Sequence, residues 1–298
     1  MKVISIKHNR LNPLNYRLHL GFLEKLEKVC DYESIVAYDK KEKKILITPD
    51  KIVSKYKPDI VICNAHSPIL EGYFRKMSCL KVMIAVDTHK HDRLPFYKSN
   101  NFNLILNRGY FDDSIEFPRV WFPFSVDHNE FYPTKERRIK RIGFVGTYKP
   151  GIYKQRRNAI NKLDKEGLLI NGGKIIGEDY SKFLRKHIGI LSPIVIKNGP
   201  HAKLFEIMAS GTLALVSNFE GKSILFKPND FVVYKKDCSN VVEKAKWILN
   251  NSKQSKEIAI NGLKTIKERH TDDIRIKELY GHLNNMLEGK ELVERWKE

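Results

Sequence analysis

The strongest constraint in this chain is a rhythm. Short apolar, β-branched runs alternate with helix-length segments twice over, and a proline-punctuated stretch separates the two series. The first series contains "KVISI", "SIVAY", "KKILIT", "DIVIC", "KVMIA" and "NLILN", with an amphipathic helix in "NYRLHLGFLEKLEKV" that sets Leu18, Phe22, Leu26 and Val29 on one face. Between Pro123 and Pro133 the prolines leave no room for a helix, which marks an inter-domain connection. A fresh strand over 141–145 opens the second series. It continues with a helix near 153–165, strand "GKIIG", a helix near 180–186, strand "IGILS", a further helix and strand over 199–217, and "DFVVY". From about Ser239 the pattern is helical only. Most runs are apolar throughout, as strands covered on both faces are, so the pattern predicts two tandem α/β domains with largely parallel sheets. The predicted boundaries are 1–125 and 126–270, followed by a helical tail over 271–298.

A length of 298 residues with 42% hydrophobic content suits two domains with proper cores. No apolar run approaches the roughly 20 residues that span a bilayer, so no transmembrane segment is expected. The start, "MKVISIKHNR", is too polar for a secretory signal. Cys30, Cys63, Cys79 and Cys238 are scattered without metal or redox spacing, which fits buried reduced thiols in a cytoplasmic protein. The charge is less ordinary: 54 Lys and Arg stand against 35 Asp and Glu, a formal +19. Such an excess favours anionic partners (nucleic acid, a polyanionic glycan, phosphorylated small molecules or the membrane surface as a peripheral contact) without choosing among them.

In open parallel sheets ligands sit beyond the carboxyl ends of the strands. After "DIVIC" come Asn64, Ala65, His66 and Ser67. After "KVMIA" comes "VDTHKHD", with Asp87, His89, His91 and Asp92. After "IGFVG" come Thr147, Tyr148 and Lys149, and after "GILS" come Pro193 and "KNGPHAK". His and carboxylates are metal-ligand types, but no third ligand is specified by spacing, so no metal is expected. An acid/base or oxygen-orienting role for one imidazole suits a group that titrates near neutrality, and an ordinary surface loop explains the same spacing. Gly143 and Gly146 in "GFVGTYKPG" form neither a Walker pattern nor a complete dinucleotide fingerprint. They do offer close backbone approach, followed by a helix N-terminus that favours anions. Lys149, Lys154, Arg156 and Arg157 follow this strand, whereas Arg137, Arg138, Lys140 and Arg141 precede or begin it. The two groups fall on opposite edges of the sheet, and the earlier one is either a solvated edge or a docking patch for something large and anionic.

One acid stands inside an apolar run, Glu206 in "GPHAKLFEIMASGTLALVS". Pro200 can open a helix and Gly211 can close it in a left-handed conformation, with a buried strand over 212–216. Lys203, Glu206 and Ser210 then share one face, and Leu204, Ile207 and Met208 lie opposite. Spacing alone allows a solvated stripe carrying a Lys–Glu pair.

"VWFPFSVDHNEFYP" leading into "IGFVGTYKPG", then "HAKLFEIMASGTLALVS", with "IKERHTDDIRIKELYGHL" near the end, resembles the GT-B glycosyltransferases of the glycosyl transferases group 1 type, nearest the short spore-maturation-protein-like members. The resemblance is strongest over 120–221. It implies two Rossmann-like domains facing across a cleft, a tail packing back on the first, and a nucleotide-sugar donor (a UDP-sugar) bound mainly by the second. Glu206 matches the acid that holds the nucleotide ribose hydroxyls, and an ionised carboxylate is an acceptor suited to that task. Lys203 matches a basic position near the donor phosphates, where positive charge stabilises the departing diphosphate. Gly146, Thr147, Tyr148 and Arg156 fall on the first donor loop of the second domain, and Pro200, His201 and Ala202 at the helix start beside the donor. His89, with Asp87, falls on the first-domain loop that approaches the sugar, so the implied catalytic set is His89, Asp87 and Lys203. The chain departs from the pattern in two places. Many relatives carry a second glutamate seven residues before the ribose-binding one, where this chain has Gly199 beside Asn198, and "KHNRLNPLN" lacks the usual glycine pair. The expected function is transfer of a sugar from a nucleotide sugar to a glycan, a protein or a modified DNA base, with retention of configuration. The rival from another class is a nucleic-acid-binding protein on a degenerate GT-B scaffold, for which steep salt dependence of binding is the test.

Overall fold

The computed structural model describes residues 1–8, 21–63, 67–85, 94–109, 118–147, 153–194, 199–293 and 295–296. Two compact units emerge, one of residues 1–123 with 273–298, the other of residues 124–272.

The first unit is built on seven strands: β1 (Lys2–His8), β2 (Asp31–Asp39), β3 (Lys44–Ile45), β4 (Ile60–Cys63), β5 (Leu80–Ala85), β6 (Leu104–Asn107) and β7 (Arg119–Trp121). Their order across the sheet is β3-β2-β1-β4-β5-β6-β7, and every pairing is parallel except β2 with β3. Successive residues serve opposite faces. Ile4, Ile6, Val61 and Met83 belong to one core with Phe74 and Phe96, whereas Val3, Ile60, Ile62 and Val82 belong to the other. That two-sided burial explains why these strands read as continuous apolar runs. The second core also takes Ile276, Leu279 and Leu283 from the helix Asp272–Leu287.

The amphipathic segment near the start is a 3-10 helix over Gly21–Lys28 among the described residues. Phe22 and Leu26 are buried as expected, but Val29 is 36% exposed because the helix has ended and the chain turns into β2. Leu18 lies outside the described residues. Strand β7 escaped the sequence reading because Pro123 follows it so closely.

The second unit carries β8 (Ile139–Phe144), β9 (Leu169–Asn171), β10 (His187–Ser192), β11 (Leu213–Ser217) and β12 (Val232–Tyr234), ordered β12-β11-β10-β8-β9 and parallel throughout. The strand expected over "GKIIG" lies earlier, at β9. Asn171 Oδ1 accepts from Gly173 N at 3.0 Å and closes a turn that takes the following residues out of the ladder. The connecting helices, numbered within this unit, are α1 (Lys154–Lys165), α2 (Gly177–Lys186), α3 (Ala202–Ala209) and α4 (Lys222–Leu225), then α5 (Val241–Asn250) and α6 (Ser252–Arg269). Gly211 ends α3 at φ +63°, the left-handed closure that its position called for. Cys63 and Cys238 are buried, Cys30 and Cys79 partly so, and the four form no disulfide. Among the described residues no helix is long and apolar enough to cross a membrane.

Candidate functional site

The second sheet presents the ends of β8, β10, β11 and β12 along its carboxyl edge, and ionisable groups converge there. Lys203, in the first turn of α3, donates its ammonium to the carbonyl of Val145 just past β8 and lies 5.4 Å from the centre of the Phe144 ring. Arg156, in the first turn of α1, donates to the Thr147 carbonyl at 3.3 Å and lies 4.4 Å above the Tyr153 ring. The two cations are close enough to disfavour each other. Desolvation, then Arg156, pushes Lys203 down to about 8, against a smaller opposing pull from Glu206.

His201 completes the group. Its ring bonds the Pro193 carbonyl at 3.2 Å through Nε2, and Nδ1 is buried with no partner. Burial first, then Lys203, holds it down to about 3, so the ring is neutral near pH 7. A carbonyl only accepts, so Nε2 carries the proton and Nδ1 faces inward as an acceptor. His201 is also the N-cap of α3, in extended conformation, and its side chain gives the helix no capping bond. Pro200 has no N–H to offer. The first-turn amides of α3 and two cations thus meet at one sheet edge, an arrangement that favours an anion.

Gly146 is what lets the ammonium sit there. At φ +142° a Cβ on this residue would fall 2.8 Å from Lys203 Nζ. Gly146→Ala is therefore expected to cost about 1–3 kcal/mol from backbone strain and to displace the ammonium. Thermal melting together with anion affinity checks this, since both should fall.

Glu206 sits one turn further along α3 and is 5% exposed, with Ser210 fully buried. The solvated stripe that spacing allowed is thereby corrected. The helix is buried nearly all round, because it covers the sheet with one side and packs on α6 with another. The Glu206 carboxylate accepts a hydrogen bond from the Tyr180 hydroxyl of α2 at 2.5 Å, and Phe131 packs edge-on against that tyrosine. Tyr180 is a site residue that spacing could not reveal, since it lies 26 positions away.

The structure thus gathers Lys203, Glu206, Gly146, Thr147, Arg156, Pro200, His201 and Ala202 in one unit. Asp87, His89 and Tyr148 lie outside the described residues. The earlier basic group is corrected in part. Arg138 donates to the carbonyls of His187 (3.1 Å) and Ser210 (3.3 Å) and to Thr212 Oγ1 (2.5 Å), so it clamps the carboxyl end of α3 instead of facing a partner. Arg137, Lys140 and Arg141 are exposed. Among the described residues no three His, Cys, Asp or Glu side chains gather as a metal site would require.

Comparison with known proteins bears on the fold. Residues 144–281 match the family model described as "Glycosyl transferase-like", and no curated protein sequence matches the chain. Among solved structures, sucrose-phosphate synthase from Thermosynechococcus elongatus aligns with a TM-score of 0.65 at 10% identity, over 97% of this chain and 100% of that one. A glycosyltransferase from Rickettsia africae aligns with a TM-score of 0.65 at 10% identity, over 97% and 99%. HepE of Anabaena, solved with UDP-glucose, aligns with a TM-score of 0.62 at 11% identity, over 96% and 100%. The two-unit parallel α/β architecture is the GT-B fold, and in fold and in the sequence of residues 144–281 the chain is glycosyltransferase-like.

Proposed function

We propose that the protein transfers a sugar from a nucleotide-sugar donor to an acceptor hydroxyl or amine. The observation that carries this reading is the convergence of Lys203, Arg156 and the uncapped start of α3 at one sheet edge, one helical turn from the buried Glu206. The cations and amides would hold the donor diphosphate, and Glu206, oriented by Tyr180, would accept from the ribose hydroxyls. In the reaction the bond from the sugar's anomeric carbon to phosphate oxygen breaks, the acceptor atom bonds to that carbon, and the acceptor's proton leaves. Charge then builds on the diphosphate, where preorganised donors have their largest effect.

The HepE complex with UDP-glucose supports a uridine donor. His89 and Asp87 remain the proposed groups near the transferred sugar, with Tyr148 on the donor loop. Retention of configuration, and a place beside the spore-maturation-like members, rest on the "HAKLFEIMASG" resemblance.

Calorimetric titration and thermal shift with UDP, UDP-glucose and other nucleotide sugars test the reading. At least one donor should stabilise the protein, and Glu206→Ala should weaken it about 30- to 100-fold, the worth of lost hydrogen bonds to a charged acceptor. A donor analogue lacking the ribose hydroxyls should lose the same factor against the parent and little more against the variant. Indifference of both proteins to every donor sinks the proposal.

A further inference from the structure

Helix α6 and the amino edge of the second sheet carry a feature that donor chemistry does not use. Helix α6 exposes Lys253, Lys256, Ile260, Lys264 and Lys267. At about 100° per residue these fall within about 80° of arc, in a line about 21 Å long. Ser255, Ala259, Gly262 and Ile266 occupy the opposite, buried face. The acids Glu257 and Glu268 fall together on one flank of the stripe, where Glu268 pairs with Lys227 at 2.8 Å and with Lys264 at 3.9 Å. On the other flank lies an open cavity of about 610 Å³ lined by Pro133, Ile188, Ile260 and Leu263 together with Lys135, Lys256 and one acid, Glu136. Ile260 is 53% exposed. Among the described residues no carboxylate pairs with Lys135, Lys253 or Lys256.

We propose that this face docks on an anionic lipid bilayer. The lysines would meet lipid phosphates, and Ile260 with the apolar groove would accept the acyl boundary. An apolar centre inside a lysine rim is what an interfacial helix presents. A nucleic-acid groove would not need an exposed isoleucine at its middle, and no aromatic side chain lines this cavity for base stacking. The inference also assigns a role to the amino-edge basic cluster around Lys135, which the donor site leaves unused. It does not depend on the proposed reaction, because no residue of this face belongs to the donor site; the cavity lies at the amino edge of the sheet, and α6 runs from there back toward the carboxyl edge, where His270 meets the Phe205 ring at 5.1 Å.

Co-sedimentation of the full chain with phosphatidylglycerol vesicles, phosphatidylcholine vesicles and duplex DNA decides the matter. Binding to phosphatidylglycerol alone is expected, weakening with salt. Each lysine near the surface should contribute about fivefold, so K253E/K256E should weaken binding about 25-fold or more. Ile260→Asp should weaken it about tenfold through lost apolar insertion. These positions are solvent-exposed, so unchanged melting temperatures should accompany the losses. Absence of vesicle binding overturns the proposal. So does vesicle binding that the variants leave intact, or a preference for DNA that they abolish.

Discussion

Replacing Lys203 by methionine is expected to weaken binding of a nucleoside diphosphate at least about 30-fold while making the unliganded protein more stable. Both effects have one cause. The ammonium is drawn out of water beside a second cation, Arg156, and the Val145 carbonyl, the Phe144 ring and the weaker pull of Glu206 compensate it in part. Its pKa falls from 10.5 to about 8, so the folded state holds the charge at a cost that methionine does not carry. A gain on the order of 1 kcal/mol, or a few degrees in melting temperature, is expected at pH 7. Against ligand the same charge becomes an asset. Losing a desolvated cation opposite phosphate should cost about 2–5 kcal/mol, a 30- to several-thousand-fold drop in affinity.

The sign of the pH dependence follows. Between pH 8 and 10.5 the unfolded chain keeps a proton that folded Lys203 has released, so the parent protein should gain stability through this window. Diphosphate affinity should be level below pH 8 and fall above it. The methionine variant should show neither trend. If it melts lower than the parent and its pH profile matches, the ammonium is a structural donor to Val145 and not a strained ligand group.

Much of this site was legible in the sequence because α3 is short and bounded by strong signals. Pro200 and Gly211 fix its ends, so the one-turn spacing of Lys203 and Glu206 follows from counting. The direction in which Glu206 points did not follow. A carboxylate in an apolar run reads equally as a solvated face or as a buried acid, and the difference depends on α6 and Tyr180, which arrive from distant parts of the chain. Arg138 illustrates the same limit. As part of "KERRIKR" it reads as surface charge, yet its guanidinium meets three groups 49 to 74 residues away. Strand order was partly accessible, since apolar runs separated by helices imply parallel pairing. The edge strands β7 and β9 were not: Pro123 follows β7 closely, and β9 precedes the "GKIIG" run that carries the stronger β signal, whereas the equally short edge strand β12 was legible as "DFVVY".

The second large effect is expected in the first unit, at Glu278. This carboxylate is only 7% exposed and receives the guanidinium of Arg275, itself fully buried, together with Trp296 Nε1 at 2.8 Å. Arg275 in turn lies 5.0 Å from the Trp296 ring and 5.5 Å from that of Phe122. One acid thus joins the last long helix to residues near the chain's end, through a buried tryptophan. Glu278→Ala removes the carboxylate that the buried guanidinium of Arg275 faces, which should cost about 3–5 kcal/mol and lower the melting temperature of this unit by about 10 °C or more. Exchanging both charges for apolar residues, Arg275→Met with Glu278→Leu, should cost less than the single change, because no buried charge is then left alone. His282 adds a pH signature. Burial holds it below its ordinary 6.5, so as pH falls through that value the unfolded chain takes up a proton that the folded unit resists, and stability is lost on the acid side. Calorimetry of the single and double variants, with Trp296 fluorescence reporting its release, measures all of these. A single variant that melts within two degrees of the parent would mean that Arg275 finds other compensation and that the acid does not hold the tail in place.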